Sequence, residues 1–187
     1  MFFAEFLGSF LLVSTVIGSG IMGENLSPDN AAIALLGNTI ATGAILFVII
    51  KMFGKISGAH FNPAVSILFY LREELTITKL ISYIIFQFLG GLLAVVTTHY
   101  IFDINLYQIS NHTLRIENNM FSLLFSEIIA TTGLILTILF VRKNDSESVA
   151  ISVALFITAG YWFTSSTSFA NPMVTIARVF TDTFTCL

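Results

Sequence analysis

Two short segments of the chain place an asparagine directly before a proline. Residues 57–65 have the sequence SGAHFNPAV, and residues 168–174 have the sequence SFANPMV. Asn caps the unsatisfied N–H groups at the start of a helix, and Pro fits the first helical position because its missing N–H would have no partner there. Each segment therefore predicts a short helix with an amide donor at its start. The residues of this candidate site are Asn62, Pro63, Ala64, Asn171, Pro172 and Met173.

Short apolar runs follow both segments, to about residues 70 and 184. About ten helical residues span roughly 15 Å, which is half the hydrocarbon thickness of a bilayer. Two such half-helices that start inside a membrane predict a pore or a binding site, because non-helical backbone at that depth must be buried or line a watery path. Both helix N-termini carry positive dipole ends toward the middle of the membrane. They would oppose a cation but not a neutral solute.

The composition is that of an integral membrane protein. Charged residues make up 10% of the 187-residue chain, against roughly 25% in soluble domains. We therefore expect the lipid bilayer as a partner. The net charge of −3 comes without a basic block, so nucleic-acid binding is not expected. Long apolar stretches predict five membrane spans, at about residues 2–21, 31–52, 77–102, 120–141 and 148–164.

The remaining polar residues do not form a reactive constellation. Glu5 and Glu127 lie inside predicted spans, where a carboxylate needs a partner. The three histidines lack the spacing of metal ligands, and no nucleophile stands beside a base. The sequence favours neither an enzyme nor a protein with a metal or another cofactor.

The chain contains an internal repeat. Residues 4–8 (AEFLG) and 126–130 (SEIIA) each open a span that is followed by one further span and then by an Asn-Pro segment. Three spans separate the two starts, so the copies are inverted, as in many transport folds. We expect one domain over residues 1–187, with a first repeat at about 1–102 and a second, incomplete repeat at about 119–187.

The two Asn-Pro segments in an inverted repeat resemble the paired boxes of the aquaporin, or major intrinsic protein, family. Residues 171–184 are similar to a bacterial aquaglyceroporin-like subgroup associated with arsenic resistance. The resemblance implies an all-α membrane protein with an aquaporin-like inverted repeat: five transmembrane helices and two re-entrant half-helices. It also implies a homotetramer. A sixth span follows in the family, so we expect this chain to be a truncated form.

The selectivity filter can be located by its distance from the two boxes. By the family's offsets its four residues are Thr42, Ala159, Ser168 and Val174. Water-selective members carry Arg at the position of Val174, and narrow filters use aromatic residues or His. The resemblance therefore implies a wide, uncharged and mildly polar filter that passes solutes larger than water.

The resemblance also assigns supporting roles. It implies that Glu5 and Glu127 accept backbone N–H groups of the re-entrant loops, and that His60 lines the cytoplasmic side of the lumen. We expect Gln87 to bond a re-entrant loop. Arg178 either pairs with Asp182 one helical turn later or polarises the outer vestibule.

The basic residues predict the orientation. Under the five-span topology six of them lie on one side and Arg115 lies in a loop on the other, which places the N-terminus in the cytoplasm. We expect a multi-pass protein of the cell membrane, the inner membrane of a bacterium. The leading hypothesis is a passive channel for water and small neutral solutes, such as polyols like glycerol or neutral metalloid hydroxides like arsenite. The alternatives are a water-selective pore, an ion-coupled transporter and a non-conducting fragment.

Overall fold

The computed structural model describes residues 1–110 and 120–183, and within that part of the chain the elements are helical. Over these residues seven α-helices follow one another, with one 3₁₀ turn at Ser146–Ser148 before the sixth. They are α1 (Phe2–Leu26), α2 (Ala31–Ser57), α3 (Pro63–Leu71), α4 (Ile77–Ile101), α5 (Met120–Asn144), α6 (Val149–Phe163) and α7 (Pro172–Arg178).

Five of these helices are long and apolar enough to cross a membrane, which confirms the predicted membrane class. Each of the five predicted spans coincides with one of them, although α2 continues to Ser57 and α1 to Leu26. The two short helices, α3 and α7, begin at Pro63 and Pro172 as expected from the caps. Arg115, on which part of the predicted orientation depends, lies outside the described residues.

The bundle is assembled around α1, which packs against both α2 and α4, while α2 also packs against α6 and α5 against α6. Small residues permit the close approaches. A Cβ on Gly90 of α4 would collide with the backbone of Phe6 in α1, and one on Gly43 of α2 would collide with Thr158 of α6. Membrane helices gain little from burying apolar side chains against each other, because lipid is equally apolar. Close contacts at small residues supply the packing energy instead. The long helices thereby form a frame that holds the two short ones.

The second half-helix is shorter than the sequence predicts. The apolar run predicts a helix to about residue 184, but α7 ends at Arg178. The next residues turn more tightly, with bonds from Val179 N to Ile176 O at 3.1 Å and from Phe180 N to Ala177 O at 3.1 Å. A side-chain bond of 2.8 Å then joins Thr181 to His99 at the end of α4. Apolar content continues past Arg178, so the composition does not indicate this end.

Candidate functional site: two half-helices and the cavity beside them

The two half-helices are joined at their N-termini. The Asn62 side-chain oxygen accepts from Ala64 N at 2.9 Å, and its amide nitrogen donates to Ala170 O at 2.7 Å. Asn171 repeats the arrangement: its oxygen accepts from Met173 N at 3.1 Å, and its amide nitrogen donates to Phe61 O at 2.9 Å. Each Asn therefore caps its own helix and ties it to the other loop. One N–H of each amide remains for a third group.

The loops before the two Asn residues have matching, strained backbones. Positive φ angles occur four, three and one residues before each Asn. They belong to Gly58, Ala59 and Phe61 in the first loop and to Thr167, Ser168 and Ala170 in the second. Such angles are unfavourable for residues with a Cβ, and the surrounding structure must hold them. The match between the loops shows that the inverted repeat extends to the backbone conformation.

Glu5 holds the first loop. Its Oε1 accepts from Ser57 Oγ at 2.6 Å and from His60 N at 3.0 Å. Its Oε2 accepts from Phe61 N at 2.8 Å and from Gln87 Nε2 at 2.8 Å. Glu5 is fully buried. Four donors on two oxygens replace the water that a carboxylate loses inside the bundle.

Glu127 holds the second loop in the same way. It accepts from Phe169 N at 3.0 Å and from Ala170 N at 2.8 Å, and Ser166 donates to it through its hydroxyl. These three donors stand five, two and one residues before Asn171, as the three loop donors to Glu5 stand before Asn62. Glu127 is half-buried, because α5 packs less extensively against its neighbours than α1 does.

Gln87 bonds a different group from the one that the sequence analysis predicts. The resemblance places it against the re-entrant loop, but its amide donates to the Glu5 carboxylate and, at 3.0 Å, to Ser66 Oγ in α3. Ser66 also bonds His60 Nδ1 at 3.1 Å. Gln87 therefore orients the group that holds the loop, and it fixes α3 against α4.

A cavity of about 520 Å³ runs beside these loops. Its wall includes Lys55 and Arg142 at one end, Asn62 and Asn171 in the middle, and Arg178 at the other end. One space therefore extends from the ends of α2 and α5 past the paired Asn residues as far as Arg178. Such a path explains how irregular backbone can exist at membrane depth.

One predicted filter residue lies outside this cavity. Ala159 is exposed on the outer face of α6, whereas Tyr161 is buried and lines the cavity. The buried residues of α6 follow helical spacing, and Ala159 lies off that stripe; they are Ala150, Val153, Ala154, Ile157, Gly160 and Tyr161. Counting residues back from the second box does not show which face of α6 is turned toward the cavity. Tyr161 replaces Ala159 in the lining.

The other three filter residues do line the cavity. Thr42, Ser168 and Val174 are all buried side chains on its wall. Thr42 Oγ1 and the Tyr161 hydroxyl form a hydrogen bond of 3.1 Å across the α2–α6 contact. Together with Tyr161 they bring three hydroxyl groups, an aromatic ring and a branched apolar side chain to the wall of the cavity, and Val174 contributes no charge.

The end of the cavity at Lys55 and Arg142 carries a network of charged side chains. Glu74 accepts from Arg72 Nε at 2.9 Å and from Arg142 at 2.6 Å. These hydrogen bonds, first that of Arg72 and then that of Arg142, hold the pKa of Glu74 below its ordinary value. Lys51 of α2 bonds the Glu147 carboxylate at 3.3 Å at the same end. The ends of four helices are thus linked around this mouth.

Sequence reasoning missed several residues of the site. Ser57 and Ser166 both stand five residues before an Asn and both bond the carboxylate that holds their loop, a repeat that the aligned boxes would have revealed. His99 looks isolated in the sequence, but it is fully buried and joins the end of α4 to Thr181. Nothing in the local sequence indicates that contact, because the partners are 82 positions apart.

Five spans, two half-helices that meet head to head and a cavity past their junction define a membrane channel of the aquaporin fold. The family model described as "Major intrinsic protein" matches residues 1–148. The chain belongs to the major intrinsic protein family, whose members are channels and not enzymes, as the sequence predicted.

Several known proteins are similar to the chain. Aquaglyceroporin AqpS of Rhizobium meliloti is 47% identical over 181 residues, which are 97% of this chain and 76% of that protein. The probable aquaporin TIP5-1 of Oryza sativa is 34% identical over 102 residues, and this match spans 38% of its length. The X-ray structure of the aquaglyceroporin from Plasmodium falciparum superposes with a TM-score of 0.69. That match covers 95% of this chain and 80% of the other at 22% identity, so it shows the fold alone.

Proposed function

We propose that the protein is a passive channel for water and small neutral solutes, with glycerol-like polyols or neutral metalloid hydroxides such as arsenite as its larger cargo. The observation that carries the proposal is the cavity of about 520 Å³ whose wall includes both of the joined residues Asn62 and Asn171. The name of the Rhizobium meliloti relative, an aquaglyceroporin, supports the choice of solute class.

The filter level supports a solute larger than water. Thr42, Tyr161 and Ser168 offer hydroxyls, while the Tyr161 ring and Val174 offer apolar surface. A polyol has a hydroxyl edge and a C–H face, so it can satisfy its hydrogen bonds on one side and pack on the other. With Val174 instead of a basic side chain, the wall at this level leaves more room for such a solute.

The junction of the half-helices supports the exclusion of ions. The N-termini of α3 and α7 meet there, and their positive dipole ends raise the energy of a cation. The spare amide N–H groups of Asn62 and Asn171 can donate to a water or a hydroxyl that passes. A proton carried along a water chain would have to reverse the orientation that these two donors impose.

The orientation and the assembly are also proposals. Ion pairs join α2, the α3–α4 loop and the turn after α5 at one mouth, where Lys51, Arg72 and Arg142 lie. The excess of basic groups there supports a cytoplasmic N-terminus in a bacterial inner membrane. Exposed apolar side chains on α5, such as Phe121, Phe125 and Phe140, support contacts with lipid or with neighbouring subunits of a homotetramer.

The filter assignment is tested by Val174→Arg in proteoliposomes. We expect the longer, charged side chain to lower glycerol permeability by about tenfold while water permeability falls much less. Val174→Leu is the matched control, because it adds volume without charge or reach. Equal glycerol permeability in wild type and Val174→Arg would show that Val174 does not lie at the narrowest level.

A further inference from the structure

One end of the cavity has an excess of basic side chains, and we call it the charged end. The charged residues on its wall come from α2, α4, α5, the α3–α4 loop and the turn before α6; they are Lys51, Lys55, Lys79, Arg142, Glu74 and Glu147. Both carboxylates are already bonded, Glu74 to Arg142 at 2.6 Å and Glu147 to Lys51 at 3.3 Å. The charged end therefore carries more positive than negative charge.

Lys55 and Lys79 are the two cations of the charged end that have no carboxylate partner among residues 1–110 and 120–183. A hydrogen bond of 2.6 Å from the Tyr83 hydroxyl to Ser57 O joins the segments that carry them. Ser57 ends α2 two residues after Lys55, and Tyr83 lies one helical turn after Lys79 on the same face of α4. Two ammonium groups on joined elements therefore share one part of the cavity wall.

Lys79 occupies an unfavourable position for a basic residue. It is the third residue of α4, whose first turn contains no acidic side chain. The helix dipole places positive charge at this end, so it repels an ammonium group. An anion beside the first turn would reverse the effect, because a helix N-terminus and a lysine both attract negative charge. The position of Lys79 is thus explained by a bound anion and not by the stability of α4.

A phosphate group fits this place. Its oxygens carry negative charge in several directions, so it can accept from two ammonium groups at once. Beyond the charged end the wall of the cavity becomes largely apolar, with Val65, Leu134 and Ile138. An anion that moved there would lose its water without replacement, which costs more than it gains. It would therefore stay at the lysines and narrow the path of a neutral solute toward Asn62.

From this arrangement we propose that Lys55 and Lys79 form a phosphate-binding site at the charged end, and that phosphate bound there slows the passage of neutral solutes. The phosphate belongs either to a soluble ion or to a lipid headgroup, which share this chemistry. The effect on passage rests on the proposed channel function, whereas binding itself does not. The competing reading is that both lysines only set the orientation of the chain in the bilayer.

The experiment measures glycerol permeability by stopped-flow light scattering in phosphatidylcholine proteoliposomes, with inorganic phosphate at equal concentration on both sides. We expect the permeability of wild type to fall as phosphate is raised. The concentration that gives half of this fall should increase about tenfold or more in the double variant Lys55→Gln with Lys79→Gln. Lys55→Arg with Lys79→Arg keeps both charges and should stay near wild type. Lys143→Gln is the control, because Lys143 is exposed and lies outside the cavity wall.

A lipid arm distinguishes the two sources of phosphate. Phosphatidylglycerol replaces phosphatidylcholine and no soluble phosphate is added. A fall in permeability that occurs in wild type and not in the Gln double variant assigns the site to a lipid headgroup, and a fall with inorganic phosphate alone assigns it to a soluble ion. No fall with either source would overturn the proposal, as would an equal fall in wild type and the Gln double variant. An equal fall with methanesulfonate at the same ionic strength would also overturn it, because that result would show screening alone.

Thermal unfolding of the purified protein in detergent tests binding without conduction. The phosphate source that acts in proteoliposomes should raise the unfolding temperature of wild type and of the Arg double variant but not of the Gln double variant. If the Gln double variant does not fold, Lys79→Gln replaces it with a smaller expected difference. Wild type that passes no glycerol but shows this rise with either source would refute the channel and keep the site. Wild type that passes glycerol and shows no rise with either source would refute the site alone.

Discussion

Asn62 and Asn171 hold each other's loops through reciprocal hydrogen bonds. The first amide donates to the carbonyl before the second Asn at 2.7 Å, and the second donates to the carbonyl before the first at 2.9 Å. Their side-chain oxygens meanwhile accept the N–H groups of Ala64 and Met173. An amide can do both because it carries an acceptor and two donor hydrogens. A carboxylate in this place could accept but not donate, so it would lose one of the two functions.

Asn62→Asp separates the two functions. Asp can still cap α3, but it can no longer donate to Ala170 O, and its charge would face that carbonyl. We expect the free energy of unfolding to fall by about 1–3 kcal/mol and water permeability to fall by about tenfold. Thermal unfolding in detergent and stopped-flow light scattering measure the two effects.

The matched control is Asn30→Asp. Asn30 caps α2 through a bond from Ile33 N at 3.2 Å and is exposed, with no role at the junction. Both quantities should stay near wild type in this variant. If Asn62→Asp had the unfolding temperature and the water permeability of wild type, the reciprocal bonds would not be what joins the half-helices.

The two carboxylates that hold the loops should differ in their sensitivity to Glu→Gln. Glu5 is fully buried and accepts four hydrogen bonds, whereas Glu127 is half-buried and accepts three from the described residues. In either variant an NH₂ group must face N–H donors. We expect Glu5→Gln to lose about 3 kcal/mol or more of stability and Glu127→Gln to lose less. Thermal unfolding of the purified variants gives the order.

Glu147→Gln is the control for charge removal. Its partner is Lys51 at 3.3 Å, and its side chain is 80% exposed, so the change should be within about 1 kcal/mol. A larger loss for Glu127→Gln than for Glu5→Gln would contradict the ranking by burial and by the number of donors.

Much of the fold could be predicted from the sequence, because a membrane span needs only length and apolar content. The starts of α3 and α7 were also predictable, since Asn followed by Pro specifies the cap and the first helical residue. The end of α7 was not. Apolar residues continue past Arg178, and the turn depends on His99 and Ser110, which are distant in sequence.

Part of the candidate site was predictable from offsets to the two boxes. Thr42, Ser168 and Val174 line the cavity as their offsets indicated, but Ala159 does not. The connection that follows α6 lies between Ala159 and the second box. Each residue more or fewer in that connection changes the face of α6 that a fixed offset selects, by about 100° of rotation per residue. Tyr161 could have been found from the spacing of the buried stripe in α6.

The corrected lining predicts how two substitutions on α6 differ. Ala159→Trp adds a large side chain to an exposed face, so glycerol permeability should stay within about twofold of wild type. Tyr161→Phe removes only the hydroxyl that bonds Thr42, and it should lower glycerol permeability by about threefold with a smaller effect on water. Stopped-flow measurements on both variants check the assignment. A strong block by Ala159→Trp would restore Ala159 to the filter.

The contact between α1 and α4 depends on Gly90. A Cβ there would meet the backbone of Phe6, including its carbonyl carbon at 3.0 Å, and backbone cannot move aside as a side chain can. We expect Gly90→Ala to cost about 1–3 kcal/mol of stability. Gly37→Ala is the control, because a Cβ added to Gly37 would have no atom within 4 Å, and helix propensity should make it neutral or stabilising by up to about 1 kcal/mol. Equal unfolding temperatures would show that the helices can separate without cost.

The central claim is that a solute larger than water passes the junction of the two half-helices. Its most direct test is stopped-flow light scattering of proteoliposomes that hold the wild-type chain, under an inward glycerol gradient. We predict reswelling well above that of empty vesicles, and a loss of most of the excess in Asn62→Asp. Reswelling equal to that of empty vesicles, with the protein present in the bilayer, would contradict the account.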